Sequence, residues 1–264
     1  MHPLHAPVAA LIRSVAAEVV MPMFRSLTAD QVTEKGPDDL VTAADRLSEE
    51  RLGEGLLAIL PGSHMVGEEG VAADPRLLDS IDSGLVWIVD PIDGTGNYAA
   101  GRGPFALMVA LARDGVVEAG WILDPLSGRM LHAALHGGAY VDGKRVTARG
   151  TGAALPVAAL AMRFLPSEMR EDYVARIAGR MTEGAIPLCA GEQYPRIVLG
   201  ENDVALFWRA HPWDHAPGAL FLTEAGGRIA HFDGSTYRIG ERRTGLLAAA
   251  TPALWDHAAD ILFG

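Results

Sequence analysis

Apolar positions recur along the chain at several spacings, each predicting a different kind of element. Between residues 6 and 27 the spacing is helical (Val8, Leu11, Ile12, Val15, Val19), with Pro22 placed to kink or end the helix. A second helix is predicted from Thr42. Thr42-Ala43-Ala44-Asp45 has the spacing of a capping box, with Asp in the usual place of Glu or Gln. Leu47, Leu56, Leu57 and Leu60 follow, and Pro61-Gly62 ends the segment. Leu85-Val86-Trp87-Ile88-Val89 is short and wholly apolar, as in a strand buried on both faces. Residues 105–112 and 116–123 flank Asp114-Gly115, and Asp142-Gly143 follows Ala139-Tyr140-Val141; both dipeptides are hairpin turns. With a short strand at 64–66, the first half reads as mainly antiparallel sheet with two helices.

Small, weakly apolar residues at 147–156 mark a subdomain boundary. It divides an α+β part, residues 1–147, from an α/β part, residues 148–264. In the second part strand patterns (157–162, 186–190, 204–208) alternate with helical ones. One helix is predicted over 167–181. Another starts at Asp214 and ends at Gly226-Gly227.

Composition narrows the function. The chain has 264 residues, 49% of them hydrophobic, which suits one large or two modest domains and argues against disorder. Its 33 acidic and 22 basic residues leave a net charge of −11, which disfavours a nucleic-acid partner held by a basic surface. Cys189 is the single cysteine, so no intrachain disulfide is possible; its apolar run, Ile186-Pro187-Leu188-Cys189-Ala190, predicts a buried structural thiol. No uncharged apolar stretch approaches the ~18 residues of a membrane span. The N-terminal helix carries Arg13 and Glu18, unlike a signal peptide. A cytoplasmic protein without a membrane partner is expected.

Four acidic motifs carry the candidate chemistry. Asp90-Pro91-Ile92-Asp93-Gly94-Thr95 leaves the carboxyl end of the buried strand. Two carboxylates on one tight loop can converge on a hard cation, and the amides of Gly94 and Thr95 can hold phosphate. An ordinary Asx turn accounts for the hexapeptide equally well. Gly67-Glu68-Glu69-Gly70 is either a solvated loop or a pair of acids whose repulsion a cation relieves. In Trp213-Asp214-His215-Ala216-Pro217-Gly218, Asp214 is placed to cap a helix and, stabilised there by the helix dipole, to bind a metal. His211 and His215 are expected to pack or hydrogen-bond. Asp38-Asp39-Leu40-Val41-Thr42-Ala43-Ala44-Asp45 completes the set, with Asp45 able to cap its own helix.

In order and spacing these motifs, with Glu224-Ala225-Gly226-Gly227, Gly137-Gly138-Ala139 and the final helix, resemble the inositol monophosphatase family of Mg²⁺-dependent phosphatases across almost the whole chain. The resemblance implies a layered α/β/α/β/α sandwich, lithium inhibition and a homodimer. It implies a phosphomonoesterase that hydrolyses a small polar alcohol phosphate by attack of metal-activated water, with two or three Mg²⁺ ions per site. Glu68, Asp90, the Ile92 carbonyl, Asp93 and Asp214 match the metal ligands, and Glu68 also matches the support of a third, looser ion. Gly94 and Thr95 match the phosphate-cradling amides. Thr95 and Asp45 match the pair that orients and helps deprotonate the attacking water. Haloacid-dehalogenase-like phosphatases instead carry an aspartyl nucleophile in Asp-x-Asp-x-Thr, whereas Asp90 and Asp93 are three apart.

The substrate side departs from the family. Inositol-cleaving members carry a Glu about seven residues before the Asp of the Trp-Asp motif; here Phe207, Trp208 and Arg209 occupy that region and no carboxylate does. The segment Gly191-Glu192-Gln193-Tyr194-Pro195-Arg196, expected as a loop, differs from the family's usual Gly followed by small residues and supplies the remaining candidates. Gly191 matches the family glycine that approaches the substrate, Glu192 is placed to replace the missing acceptor, and Arg196 to pair a second anion or simply to be solvated. Lys35 aligns with a family lysine only if one residue is deleted. Histidinol phosphate, a 3′-phosphonucleotide and a sugar phosphate therefore stand beside inositol phosphate as substrates. A silent, metal-binding relative is the other alternative, although every acid and the Thr are kept.

Overall fold

The computed structural model describes residues 1–36 and 39–264; Asp38 of the fourth motif lies outside them. Seven strands form one sheet in sequence order: His64–Gly67, Leu85–Asp93, Ala106–Arg113, Val116–Leu123, Met130–Ala134, Gly138–Val141 and Lys144–Val146. Only the first pair is parallel. Both predicted hairpin turns form, with Asp114 at φ 48° and Gly115 at 80°, and Asp142 at 48° and Gly143 at 76°. These positive φ angles match the right-handed twist of the flanking strands.

A five-stranded sheet follows, in the order Thr182–Glu183, Val157–Leu160, Val204–Phe207, Leu246–Ala249, Arg228–His231. Residues 147–156 connect the two sheets without a strand or helix. Helices His5–Val15 and Ala43–Ile59 pack on one face of the larger sheet, and Pro212–Glu224 packs on the other beside Ala190–Val198. Those two helices also meet the smaller sheet, whose outer face is covered by Ser167–Ile177 and Pro252–Leu262. The order is α/β/α/β/α, as the resemblance implies.

Local chemistry explains the elements that matter most. Thr42 caps Ala43–Ile59 and Asp45 reaches back to the Thr42 amide, completing the capping box. The Leu85–Asp93 strand buries both faces: Trp87 and Val89 face the N-terminal helices, while Val86 and Ile88 pack towards Trp213. The N-terminal helix runs on to Met23 through a π turn at Ala16–Val20, just ahead of Pro22, which has no amide to donate. Its 19 residues, His5–Met23, are apolar enough by length and composition to cross a membrane. Here Val8, Ile12, Val15, Val19 and Val20 are spent in the core against Trp87 and Trp121.

Two expectations fail in the second half. Residues 186–189 form no strand: Leu188 takes φ 56°, and Ile186 and Leu188 are 43% and 49% exposed, so this apolar run forms a rim and not a core layer. The segment expected as a loop, from Gly191 to Arg196, is helix Ala190–Val198, because Gln193, Tyr194, Ile197 and Val198 share one buried face.

Candidate active site

Strand Leu85–Asp93 brings the first two acids together. Side chains on a regular strand alternate, so residues three apart point to opposite faces. Opposite Ala106–Arg113, Asp90 pairs with Met108 and Asp93 with Ala106, so the strand gains one residue over its partner at this point. This bulge turns both carboxylates into one cavity of about 530 Å³, lined also by Lys35, Glu68, Ile92, Thr95 and Asp214. Gly94 follows at φ 85°, which a residue with a Cβ rarely adopts, and turns the strand directly into helix Thr95–Ala99.

Glu68 and Asp214 arrive from other elements. Glu68 opens helix Glu68–Ala73 after strand His64–Gly67, beside the Leu85–Asp93 strand. Glu49 fixes that helix start by accepting from the amides of Glu69 at 2.8 Å and Gly70 at 2.7 Å. In sequence Glu49 is one of several acids on a helix face and carries no motif. Asp214 is in the first turn of Pro212–Glu224, where His211 and not Asp214 is the N-cap residue. Glu224, at the far end of that helix, accepts from the amides of His136 and Gly138 and ties the helix to the larger sheet.

The acids repel one another where burial limits their solvation. Burial is the main cause that pushes Asp90 and Asp214 well above the usual carboxylate range, followed by the charges of Glu68 and Asp93. Burial also raises Asp93, against hydrogen bonds from the Cys189 thiol at 2.9 Å and the Gly191 amide at 2.6 Å. The same burial raises Asp45 and Glu68, each to about 7. Lys35 donates to Glu68 at 2.7 Å and Glu69 at 2.8 Å. Burial works against its charge, but the two glutamates outweigh this and raise its pKa.

In this conformation no three His, Cys, Asp or Glu side chains among the described residues close around one ion position. Each acid leans on a neighbour, Asp214 taking a hydrogen bond with Asp90 and Glu68 turning to Lys35. One atom has no such neighbour: Asp90 Oδ1 is buried without a hydrogen-bond partner. A buried orphan oxygen amid mutually repelling carboxylates is the donor set a hard divalent cation satisfies. Glu68, Asp90, the Ile92 carbonyl, Asp93 and Asp214 are the residues that fit it.

Thr95 stands over Asp45. Its hydroxyl lies 2.9 Å from the Ile92 carbonyl and 3.3 Å from Asp45 Oδ1, within donating reach of either. Asp45 Oδ2 is spent on the amide and hydroxyl of Thr42, which leaves Oδ1 to face Thr95. The histidines pack as expected: His215 bonds the Tyr194 hydroxyl and the Arg209 carbonyl, and His211 stacks on Trp213. The thiol of Cys189, expected to be only structural, is buried yet contacts Asp93.

Two expected substrate residues lie elsewhere. Glu192 is gripped by Arg129 and by Arg196, and it lines a separate cavity with Gly103 and Asp124. Arg196 also faces Glu201. The helix that replaces the expected loop turns both side chains away from the acidic cavity. Gly191 stays at the site through its amide on Asp93, and a Cβ there would meet the Ala106 Cβ at 2.7 Å.

A second cavity of about 360 Å³ opens from the first and shares Asp93, Gly94, Thr95, Arg209 and Asp214 with it. Its outer part is apolar and aromatic, with Phe164, Ile186, Leu188, Phe207 and Trp208. In the sequence Phe207, Trp208 and Arg209 mark only the place of a missing carboxylate, and nothing there points to Phe164, more than forty residues away.

Comparisons with known proteins show the family and the fold. The chain is 28% identical over 250 residues to an inositol-1-monophosphatase of Bacillus subtilis, covering 92% of this chain and 90% of that protein. It is 30% identical over 232 residues to a fructose-1,6-bisphosphatase/inositol-1-monophosphatase of Aquifex aeolicus, covering 83% of each. An IMPase structure from Thermotoga maritima superposes with a TM-score of 0.79 over 96% of this chain and 95% of that one, at 23% identity. A family model described as "Inositol monophosphatase family" matches residues 2–262, and the chain belongs to that family.

Proposed function

We propose that the protein is a Mg²⁺-dependent phosphomonoesterase that transfers the phosphoryl group of a small alcohol phosphate to water. The observation that carries this reading is the strand bulge that turns Asp90 and Asp93 into one cavity with Glu68 and Asp214, with Thr95 lining it and Asp45 buried behind, 3.3 Å from the Thr95 hydroxyl. When bound to the acids named above, Mg²⁺ supplies the positive charge that lets this pocket accept a phosphate dianion, and it acidifies water. Gly94 and Thr95, at the start of the short helix, hold the phosphoryl oxygens by their amides. The Thr95 hydroxyl orients the attacking water and passes its proton towards Asp45 Oδ1. With its pKa near 7, Asp45 is matched to taking a proton at neutral pH. No protein nucleophile is needed, so no covalent phosphoenzyme forms.

The test is phosphate release from a panel of small monoesters with Mg²⁺. Activity is expected to vanish in EDTA and return with added Mg²⁺; full turnover in EDTA would overturn the proposal. Family resemblance extends the proposal to inhibition by Li⁺ and to a homodimer, checked by a Li⁺ titration and by sedimentation.

A further inference from the structure

The outer cavity opens beside the phosphate position, where the alcohol portion of a monoester would project. Its groups are poorly suited to a polyol. The amide N–H groups nearby are committed elsewhere and cannot donate to ring hydroxyls: Asn97 donates to the Pro104 and Pro187 carbonyls, and Gln193 donates to Asn202. Both His215 ring nitrogens are engaged as well. What remains is flat, apolar or cationic. Arg209 stacks on Phe164, its guanidinium carbon 3.8 Å from the ring centroid, and its carbonyl is pinned by His215 at 2.9 Å. Arg209 forms no ion pair among the described residues, and it lines both cavities. Arg102 adds a second guanidinium at the outer rim. The rim also keeps Leu188 exposed in a left-handed conformation, a strained arrangement for a leucine.

Resting on the phosphatase reading above, we infer that this pocket selects monoesters whose alcohol portion is flat and apolar-faced and carries a second anionic group. The ring stacks against Trp208 and the Phe164–Arg209 pair, and the anion meets Arg209 and Arg102. A guanidinium stacked on an aromatic ring keeps its edge donors available for a carboxylate or phosphate.

The experiment measures kcat/KM and, by calorimetry, Kd for benzyl, 4-carboxybenzyl, 4-phosphonobenzyl and 4-(aminomethyl)benzyl phosphates, beside inositol 1-phosphate and glycerol 2-phosphate. All leaving groups are alkyl alcohols, so the order reports recognition. The anionic benzyl esters are expected to exceed benzyl phosphate by roughly tenfold or more, the scale of a charge-assisted contact, and the aminomethyl ester to fall below it. The carboxy and phosphono arms distinguish the two sources of the anion. Arg209→Gln should bring the 4-carboxybenzyl to benzyl ratio close to one, a change that a merely structural role would not produce; Arg102→Gln should lower the ratio less. Preference for inositol or glycerol phosphate, or equal use of carboxy and aminomethyl esters, overturns the inference. Absence of all turnover with the Kd order intact overturns the phosphatase reading and leaves the pocket assignment standing. Absence of that order in Kd overturns the pocket assignment.

Discussion

Asp90→Asn separates the cost of the acidic cluster from its use. Asp90 is 2% exposed, its Oδ1 has no partner, and Glu68, Asp93 and Asp214 all raise its pKa after burial itself. Asparagine keeps the shape, removes the charge and adds an amide donor beside Asp214. An unsatisfied buried polar group costs about 1–3 kcal/mol, and more when charged. In a chain of this length each kcal/mol moves Tm by about 2–4 °C, so in EDTA the variant should melt roughly 2–12 °C above the parent. Its Mg²⁺-dependent turnover should fall by at least about a hundredfold, beyond the loss typical for a group behind a metal ligand. Scanning calorimetry in EDTA and a phosphate-release assay at saturating Mg²⁺ measure the two effects on one preparation. A variant that melts lower in EDTA refutes the argument that the cluster is strained without a cation. A variant that keeps its turnover refutes the role of Asp90.

Thr95→Val removes the hydroxyl between Ile92 and Asp45 and should cut kcat by about 10²–10⁴-fold with Tm nearly unchanged; Asp45→Asn added to it should cost little more, and additive losses would separate the two residues. Lys35→Met strips the cation from Glu68 and Glu69. Its Tm in EDTA should fall, and the rise in Tm on adding Mg²⁺ should exceed that of the parent; an equal rise would mean that Lys35 and metal do not share these acids. Gly191→Ala forces a Cβ against Ala106 and should cost about 1–3 kcal/mol in denaturant melts. Burial holds His132 at about 3, with His5 adding to the effect. Below its unfolded value of about 6.5 the unfolded chain therefore binds more protons, and stability falls as the pH drops, by about 2 kcal/mol at pH 5. His132→Gln should flatten the Tm profile between pH 7 and 5, and an unchanged slope would place the acid sensitivity elsewhere.

Much of the site was legible because its chemistry is local. Asp90, Asp93, Gly94 and Thr95 sit in one hexapeptide, and Thr42 with Asp45 forms a capping box readable from spacing. Strand patterns and Asp-Gly turns identified the larger sheet, because alternation and positive φ are properties of a few adjacent residues. Local pattern misleads where apolar character is used for a purpose other than the core. The run Ile186-Pro187-Leu188-Cys189 has a strand's composition, yet Pro187 and the left-handed Leu188 leave it on a cavity rim. Glu192 and Arg196 were misplaced because Ala190–Val198 winds into a helix whose buried face is set by Tyr194 and Ile197, not by the charged residues.

The sequence by itself determined the family, the order of layers and the identity of the acids, since each is written in short motifs with their own turn, cap or strand chemistry. The tertiary structure alone decided how those acids meet. A single extra residue opposite Ala106–Arg113 turns Asp90 and Asp93 to the same side, and helix Pro212–Glu224 carries Asp214 across to them. It also decided the character of the second cavity, where Phe164 and Arg209 stack although they lie far apart in the chain. Register, bulges and contacts between distant segments depend on which surfaces pack together, and packing is a property of the whole chain that no local pattern encodes.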